Sequence, residues 1–313
     1  MSTAYVYAVA NIRALEAKLL DSQALEQMAN TANFNDALNE ARHKLYGVPA
    51  DRIQNLQEAL DLISQEEKYL FANTAQLVYD PALAELLLWY SRLTGIKEKI
   101  KNNLSSREQT PAEFKIWPAY IKEAWILVQK EYTATADLKI VDFIIDAYYL
   151  QVLQEALLQR QSPWLNELCR LAIDFYNIKT WLRFKINTAS PKHLAALFLS
   201  GGEIDRMLFL KSADLTAEDF IQLLKYKPYA SELAIAWQQA KQNGEWQLLD
   251  LFFTNYLVKF LRATKLIYDG PEPVLAYLLV RLAELNNIKV ILSGKFYNLP
   301  KELITRRLSD PYV

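Results

Sequence analysis

Apolar side chains in this chain of 313 residues recur at spacings of three and four over most of its length, the pattern of helices that bury one face. Near the start, Tyr5, Val9, Ile12, Leu15 and Leu19 form such a stripe and predict a helix from Thr3 to Leu20. Asp21 and Ser22 are placed to cap the next element, and short amphipathic pieces follow at Ser22–Asn30 and Phe34–Tyr46. Gly47-Val48-Pro49 carries helix-stop chemistry, after which the pattern predicts a long helix from Arg52 to Tyr79. Later, Leu249, Phe252, Phe253, Tyr256, Leu257, Phe260 and Leu261 make a stripe wide enough to need cover on more than one side.

The same pattern repeats at larger scale. Pro81, Pro163 and Pro273 are each followed fifteen residues later by an Ile-Lys pair, at Ile96-Lys97, Ile178-Lys179 and Ile288-Lys289. Within each frame, Leu83, Leu165 and Leu275 lie two residues after the proline, and Leu86, Leu168 and Leu278 five after. Leu93, Phe175 and Leu285 follow at offset twelve, and Ile100, Leu182 and Leu292 at nineteen. These offsets share one helical face, and proline is tolerated in the first turn of a helix, so each frame reads as one helix. The third frame carries Asn287 where the first carries Gly95.

The anchors are 82 residues apart (163 minus 81) and then 110 (273 minus 163), too far for common helical solenoid repeats of about 34 to 47 residues. They indicate three similar modules. Each frame follows a long helix through a short turn, Tyr79-Asp80-Pro81, Gln161-Ser162-Pro163 or Tyr268-Asp269-Gly270-Pro271, which predicts an antiparallel helical hairpin. Each is followed by a polar break and a short helix, at Thr110-Pro111, Ser190-Pro191 and Leu299-Pro300. Joints near Ser105–Thr110 and Thr188–Ser190 divide the chain into residues 1–107, 108–189 and 190–313, with Ser200-Gly201-Gly202 as another flexible point.

Composition agrees with an all-α fold. Only 7 glycines occur where an average usage of about 7% would give roughly 22, and strong helix formers abound. A net charge of -1 without a basic footprint argues against nucleic-acid binding. The lone Cys169 excludes an internal disulfide framework and reads as a small core residue. Neither a secretory signal nor an apolar run long enough to span a bilayer is read in the sequence. The expectation is a soluble protein, or one seated on a membrane complex without crossing it.

Few residues carry a recognisable chemistry. No phosphate loop, dinucleotide fingerprint or zinc-protease motif is present. Two histidines, His43 and His193, are too few for a His-rich metal site, and Glu40 with His43 reads as a solvated helix face. Asp142 and Asp146, one turn apart in an apolar helix, are either paired carboxylates for acid-base work or surface and capping groups. The basic residues ending each frame are the candidate interface: Lys97 and Lys101, Lys179 and Arg183, Lys289 and Lys295. The i, i+4 spacing of Lys97 with Lys101 and of Lys179 with Arg183 sets each pair on one side of its helix, and the basic residues read as solvated faces or as basic rims for one partner. No catalytic residue, cofactor or metal is expected.

Two segments carry a resemblance. Gly270-Pro271-Glu272-Pro273-Val274-Leu275-Ala276-Tyr277-Leu278 and Glu284-Leu285-Asn286-Asn287-Ile288-Lys289-Val290-Ile291-Leu292-Ser293-Gly294-Lys295 resemble the C-terminal end of the C subunit of bacterial and archaeal V/A-type ATPases, a relative of the d subunit of eukaryotic V-ATPases. Tyr5-Val6-Tyr7-Ala8-Val9-Ala10-Asn11-Ile12-Arg13-Ala14-Leu15-Glu16 resembles the opening helix of that family. The resemblance implies three helical domains in a pseudo-threefold funnel. It further implies a rotor part without catalysis of its own, which receives the central shaft of D- and F-type subunits. The funnel would sit on the ring of proteolipid subunits at the cytoplasmic face of the membrane. A general helical-repeat scaffold is the alternative the residues leave open.

Overall fold

The computed structural model describes residues 4–45, 53, 55–106, 111, 113–186 and 197–313. The joints read at 107/108 and 189/190, the stop at Gly47-Val48-Pro49 and the short helix at Ser190-Pro191 lie outside the described residues. The fold is all-α, with no strand among the described residues. The helices are α1 (Ala4–Glu16), α2 (Ser22–Asn30), α3 (Phe34–Arg42), α4 (Leu56–Leu77) and α5 (Pro81–Tyr90). Next come α6 (Leu93–Ser106), α7 (Ala119–Thr135), α8 (Lys139–Leu158), α9 (Pro163–Ile186) and α10 (Arg206–Lys211). The last five are α11 (Ala217–Leu223), α12 (Ala230–Asn243), α13 (Gln247–Leu261), α14 (Glu272–Phe296) and α15 (Lys301–Thr305). None of these is long and apolar enough to cross a membrane.

All the apolar frame positions, from Leu83, Leu165 and Leu275 to Ile100, Leu182 and Leu292, are buried. Frames two and three are single helices, α9 and α14. Frame one is broken: α5 ends at Tyr90 and α6 begins at Leu93. Two tighter bonds replace the helical ones there, as Arg92 N–H donates to Trp89 O at 3.0 Å and the Ser91 hydroxyl donates to Leu88 O at 2.7 Å. The frame therefore survives as a burial pattern across two helices.

By packing, the chain forms two compact units, Met1–Leu87 with Lys227–Val313, and Leu88–Tyr226. This grouping does not follow the three sequence modules, because α4 packs most extensively along α14 from the far end of the chain. In the first unit α14 also touches α1, α2, α3, α13 and α15, and consecutive residues Val274 to Leu278 are all buried. Covered on every side, these first turns of α14 have no polar face to keep. Arg281 is 1% exposed and makes ion pairs with Glu284 and, at 3.3 Å, with Glu66. It also donates to Lys44 O, while Glu284 accepts the Leu20 N–H. From α1, Arg13 donates to Thr264 O at 2.6 Å and Ile267 O at 2.9 Å. The N-terminal helices are thus fastened to the C-terminal segment by charged side chains that satisfy the open backbone groups at helix ends.

In the second unit α8 packs against α6, α7 and α9. Trp181 of α9 stacks on Phe220 at 4.0 Å between ring centres, and Phe209 fills the space beside it. Two buried polar residues of α9 hold the segment that follows. Asp174 accepts from Ile204 N–H at 3.0 Å, and Asn177 exchanges two bonds of 2.9 Å with the backbone of Leu199. The Ser200-Gly201-Gly202 stretch, expected to be flexible, is pinned at both ends by these bonds. Gly201 has φ 102°, which disfavours a side chain there.

Candidate partner interface

The basic residues ending frame one project from α6 toward α8. Lys97 Nζ lies 2.5 Å from Asp146, and Lys101 Nζ lies 2.7 Å from Asp142. One residue number rises by four as the other falls by four, so the helices run antiparallel and the pairs stack one turn apart. The two carboxylates face ammonium groups and each other's turn, not a shared proton. That arrangement serves as a double cross-brace between α6 and α8, a third role beside the acid-base and surface readings. Lys99 forms an exposed pair with Glu113.

Asp146 keeps 39% of its side-chain exposure, yet its carboxyl is held above the usual range. Burial is the main cause, Lys97 pulls the other way, Asp142 adds to the rise and Arg183 of α9 opposes it. Arg183 is exposed and Lys179 half-buried. The structure therefore gathers Lys97, Lys101 and Arg183 around one face of α8, with Lys179 one turn before Arg183 on α9.

Lys289 and Lys295 belong to the other unit. Lys289 pairs with Glu67 of α4 at 2.5 Å, and Lys295 donates to Thr31 O at 2.6 Å. The ammonium groups of Lys97, Lys101, Lys289 and Lys295 are accordingly committed to the fold before any partner arrives. The charges of Lys97, Lys101 and Lys289 are partly cancelled by the carboxylates they pair with.

The apolar surface is the part that residue chemistry alone does not mark. In the first unit Val6, Tyr7, Leu266 and Tyr268 are exposed, Leu266 at 77% and Tyr268 at 74%. In the second, Ile116 and Ile126 are exposed. Large side chains left in water mark candidate contact sites when they cluster. A signal existed in the sequence, since Val6 and Tyr7 fall off the Tyr5, Val9 and Ile12 stripe of α1. Tyr79 at the α4–α5 turn joins this edge, its N–H bonded to the Tyr5 hydroxyl at 3.1 Å and its ring set edge-on to Tyr5.

Among the described residues no cluster of three or more His, Cys, Asp or Glu side chains is arranged to hold a metal. Cys169 is buried, and burial raises its thiol to about 11, which keeps it protonated and inert.

Comparison with known proteins bears on identity. The family model described as the ATP synthase (C/AC39) subunit matches residues 112–307. The C subunit of the A-type ATP synthase of Methanococcoides burtonii is 22% identical over 98% of this chain and 94% of its own length. The protein of the same name from Pyrococcus abyssi is 22% identical over 92% and 86%. That of Archaeoglobus fulgidus is 25% identical over about half of each chain, 54% and 48%. With the family model covering more than half of its residues and an all-helical fold beneath the match, the chain belongs to the ATP synthase (C/AC39) subunit family.

Proposed function

We propose that this chain is the non-catalytic central-stalk subunit of a V/A-type rotary ATPase. In this reading it joins the shaft, built of D- and F-type subunits, to the membrane ring of proteolipid subunits on the cytoplasmic face, so that ATP-driven rotation moves ions. The observation that carries the proposal is similarity along nearly the whole chain to proteins named as the C subunit of A-type ATP synthase.

Physical features support it. An element that transmits torque must be stiff, and long helices cross-braced by ion pairs and nearly free of glycine store little elastic energy. It also needs broad contacts at two ends, since a stable interface buries about 1,200 to 2,000 Å² in total. The exposed apolar residues of each unit, including Tyr7, Leu266 and Tyr268 in one and Ile116 and Ile126 in the other, supply anchors of the kind interfaces use. Under this proposal the chain works as three modules, 1–107, 108–189 and 190–313, in a pseudo-threefold funnel. Lys97, Lys101, Lys179, Arg183, Lys289 and Lys295 add a basic rim toward the partner.

The test is co-sedimentation of the purified chain with ring-containing membranes stripped of their soluble sector. The reading predicts saturable binding that weakens with salt when the rim contributes, and binding lost after Leu266→Asp with Tyr268→Asp or after Ile116→Asp with Ile126→Asp. A chain that stays in the supernatant at every salt concentration overturns it. Charge reversal at Arg183, the most exposed rim cation, isolates the rim from the braces that Lys97 and Lys101 make inside the fold.

A further inference from the structure

Between α14 and the chain that follows it lies an open cleft of about 260 Å³ in the first unit. Lys289, Ser293 and Tyr297 stand along its wall at spacings of four, one above another on a single face of the helix. Arg307 faces them from beyond α15, and Val290, Leu299 and Ile304 supply apolar lining. Gly294, also in the lining, lets α15 approach closely; a β-carbon there would lie 2.5 Å from Ile304 Cγ1.

Four polar groups in this wall have bonding capacity that the fold does not use. The Ser293 and Tyr297 hydroxyls make no hydrogen bond among the described residues. Of the Arg307 guanidinium, Nη2 has an acceptor, Glu245 at a long 3.4 Å, and Nε is buried without one among the described residues. Lys289 contacts Glu67 and has two further N–H donors. The charges also leave a remainder. Lys289, Arg306 and Arg307 are positive, whereas Glu67, paired with Lys289, and Glu245, paired with both arginines, are negative. Among these five paired groups the net is one positive charge.

We propose that this cleft is a binding site for a small monoanionic amphiphile, a carboxylate on a short hydrocarbon chain. The head sits among Arg307, Ser293 and Lys289, and the tail lies against Val290, Leu299 and Ile304. A single negative charge balances the local excess, whereas a phosphate dianion exceeds it. Size selects within that class. A cavity of about 150 Å³ takes a six-carbon ring, and drug-sized ligands occupy about 300 to 1,000 Å³, so this space suits a molecule of about six to ten heavy atoms rather than a nucleotide.

Calorimetric titration of the full chain with hexanoate tests the assignment, with hexanol and inorganic phosphate titrated alongside. The expected result is saturable one-to-one binding of hexanoate, at least tenfold tighter than either control. Ser293→Leu, which fills the half-buried wall without touching an ion pair, and Arg307→Gln should each weaken it at least tenfold while leaving the circular dichroism spectrum unchanged. Equal binding of hexanol overturns the charged head, and equal binding of phosphate overturns the apolar tail. Absence of saturable hexanoate binding, or undiminished binding by the Ser293→Leu variant, overturns the site.

Discussion

Asn287 and Ser309 hold each other by a closed pair of hydrogen bonds: the Asn287 amide donates to Ser309 O at 3.0 Å and accepts from Ser309 N–H at 2.8 Å. Asn177 and Leu199 do the same at 2.9 Å, also 22 residues apart. Each asparagine stands fourteen residues after its frame's proline, so the repeat extends past the helix to the segment it captures. Frame one has Gly95 at that place and no side chain with which to make the clamp. Asn177→Ala and Asn287→Ala, each removing a buried side chain that satisfies one backbone N–H and one C=O, should each lower unfolding free energy by about 1 to 3 kcal/mol. Urea denaturation of the two variants checks this, and a change under about half a kilocalorie in both would show that water replaces the amides.

Gly95 and Gly294 sit in helices for opposite reasons. Nothing lies within 4 Å of a β-carbon built at Gly95, so Gly95→Ala should stabilise the protein by up to about 1 kcal/mol through helix propensity. Gly294→Val should destabilise it by about 1 to 3 kcal/mol by crowding Ile304, and Ile304→Ala should recover part of that loss. Melting temperatures of the three variants decide the matter.

The Arg281 cluster predicts a strongly non-additive response. Arg281→Met leaves Glu66 and Glu284 buried without their cation and should cost about 3 to 5 kcal/mol. Adding Glu66→Gln and Glu284→Gln removes the stranded charges while keeping an acceptor for the Leu20 N–H. The triple variant should therefore be more stable than the single one in the same denaturation assay.

Asp146 carries a pH signature. Its folded pKa is raised above the ordinary 3.8, first by burial, so the folded state binds a proton more readily than the unfolded chain. The contribution of Asp146 to stability thus falls as pH rises from 3.8 through the raised value and levels off above it. Asp146→Asn removes this dependence. The stability of the wild type relative to that variant should increase as pH drops through the raised pKa toward 3.8, modestly, because solvent screens a side chain that is 39% exposed. An unchanged difference between about pH 8 and pH 4 contradicts it.

The all-α class and the buried face of each frame were legible because periodicity records burial directly, as Leu83, Leu165 and Leu275 illustrate. Partner choice was not. That α14 lies along α4 depends on contacts more than 200 residues apart, such as Arg281 with Glu66, and no local pattern encodes them. The break at Ser91-Arg92 leaves no mark in the pattern because the apolar spacing continues across it. Lys97, Lys101 and Lys289 looked like free surface cations since their carboxylates, Asp146, Asp142 and Glu67, lie 49, 41 and 222 residues away. Arg281, Glu66 and Glu284 are buried together only where α14 packs along α4.

The proposal of a mechanical coupler is tested most directly by measuring ATP hydrolysis and ion transport together in membranes carrying the rotary complex, with this chain removed and then restored. The coupling account predicts that removal leaves hydrolysis by the soluble sector intact while ATP-driven ion transport disappears, and that adding back the folded chain restores transport. Transport that persists without the chain, or hydrolysis by the soluble sector that vanishes with it, would contradict the account.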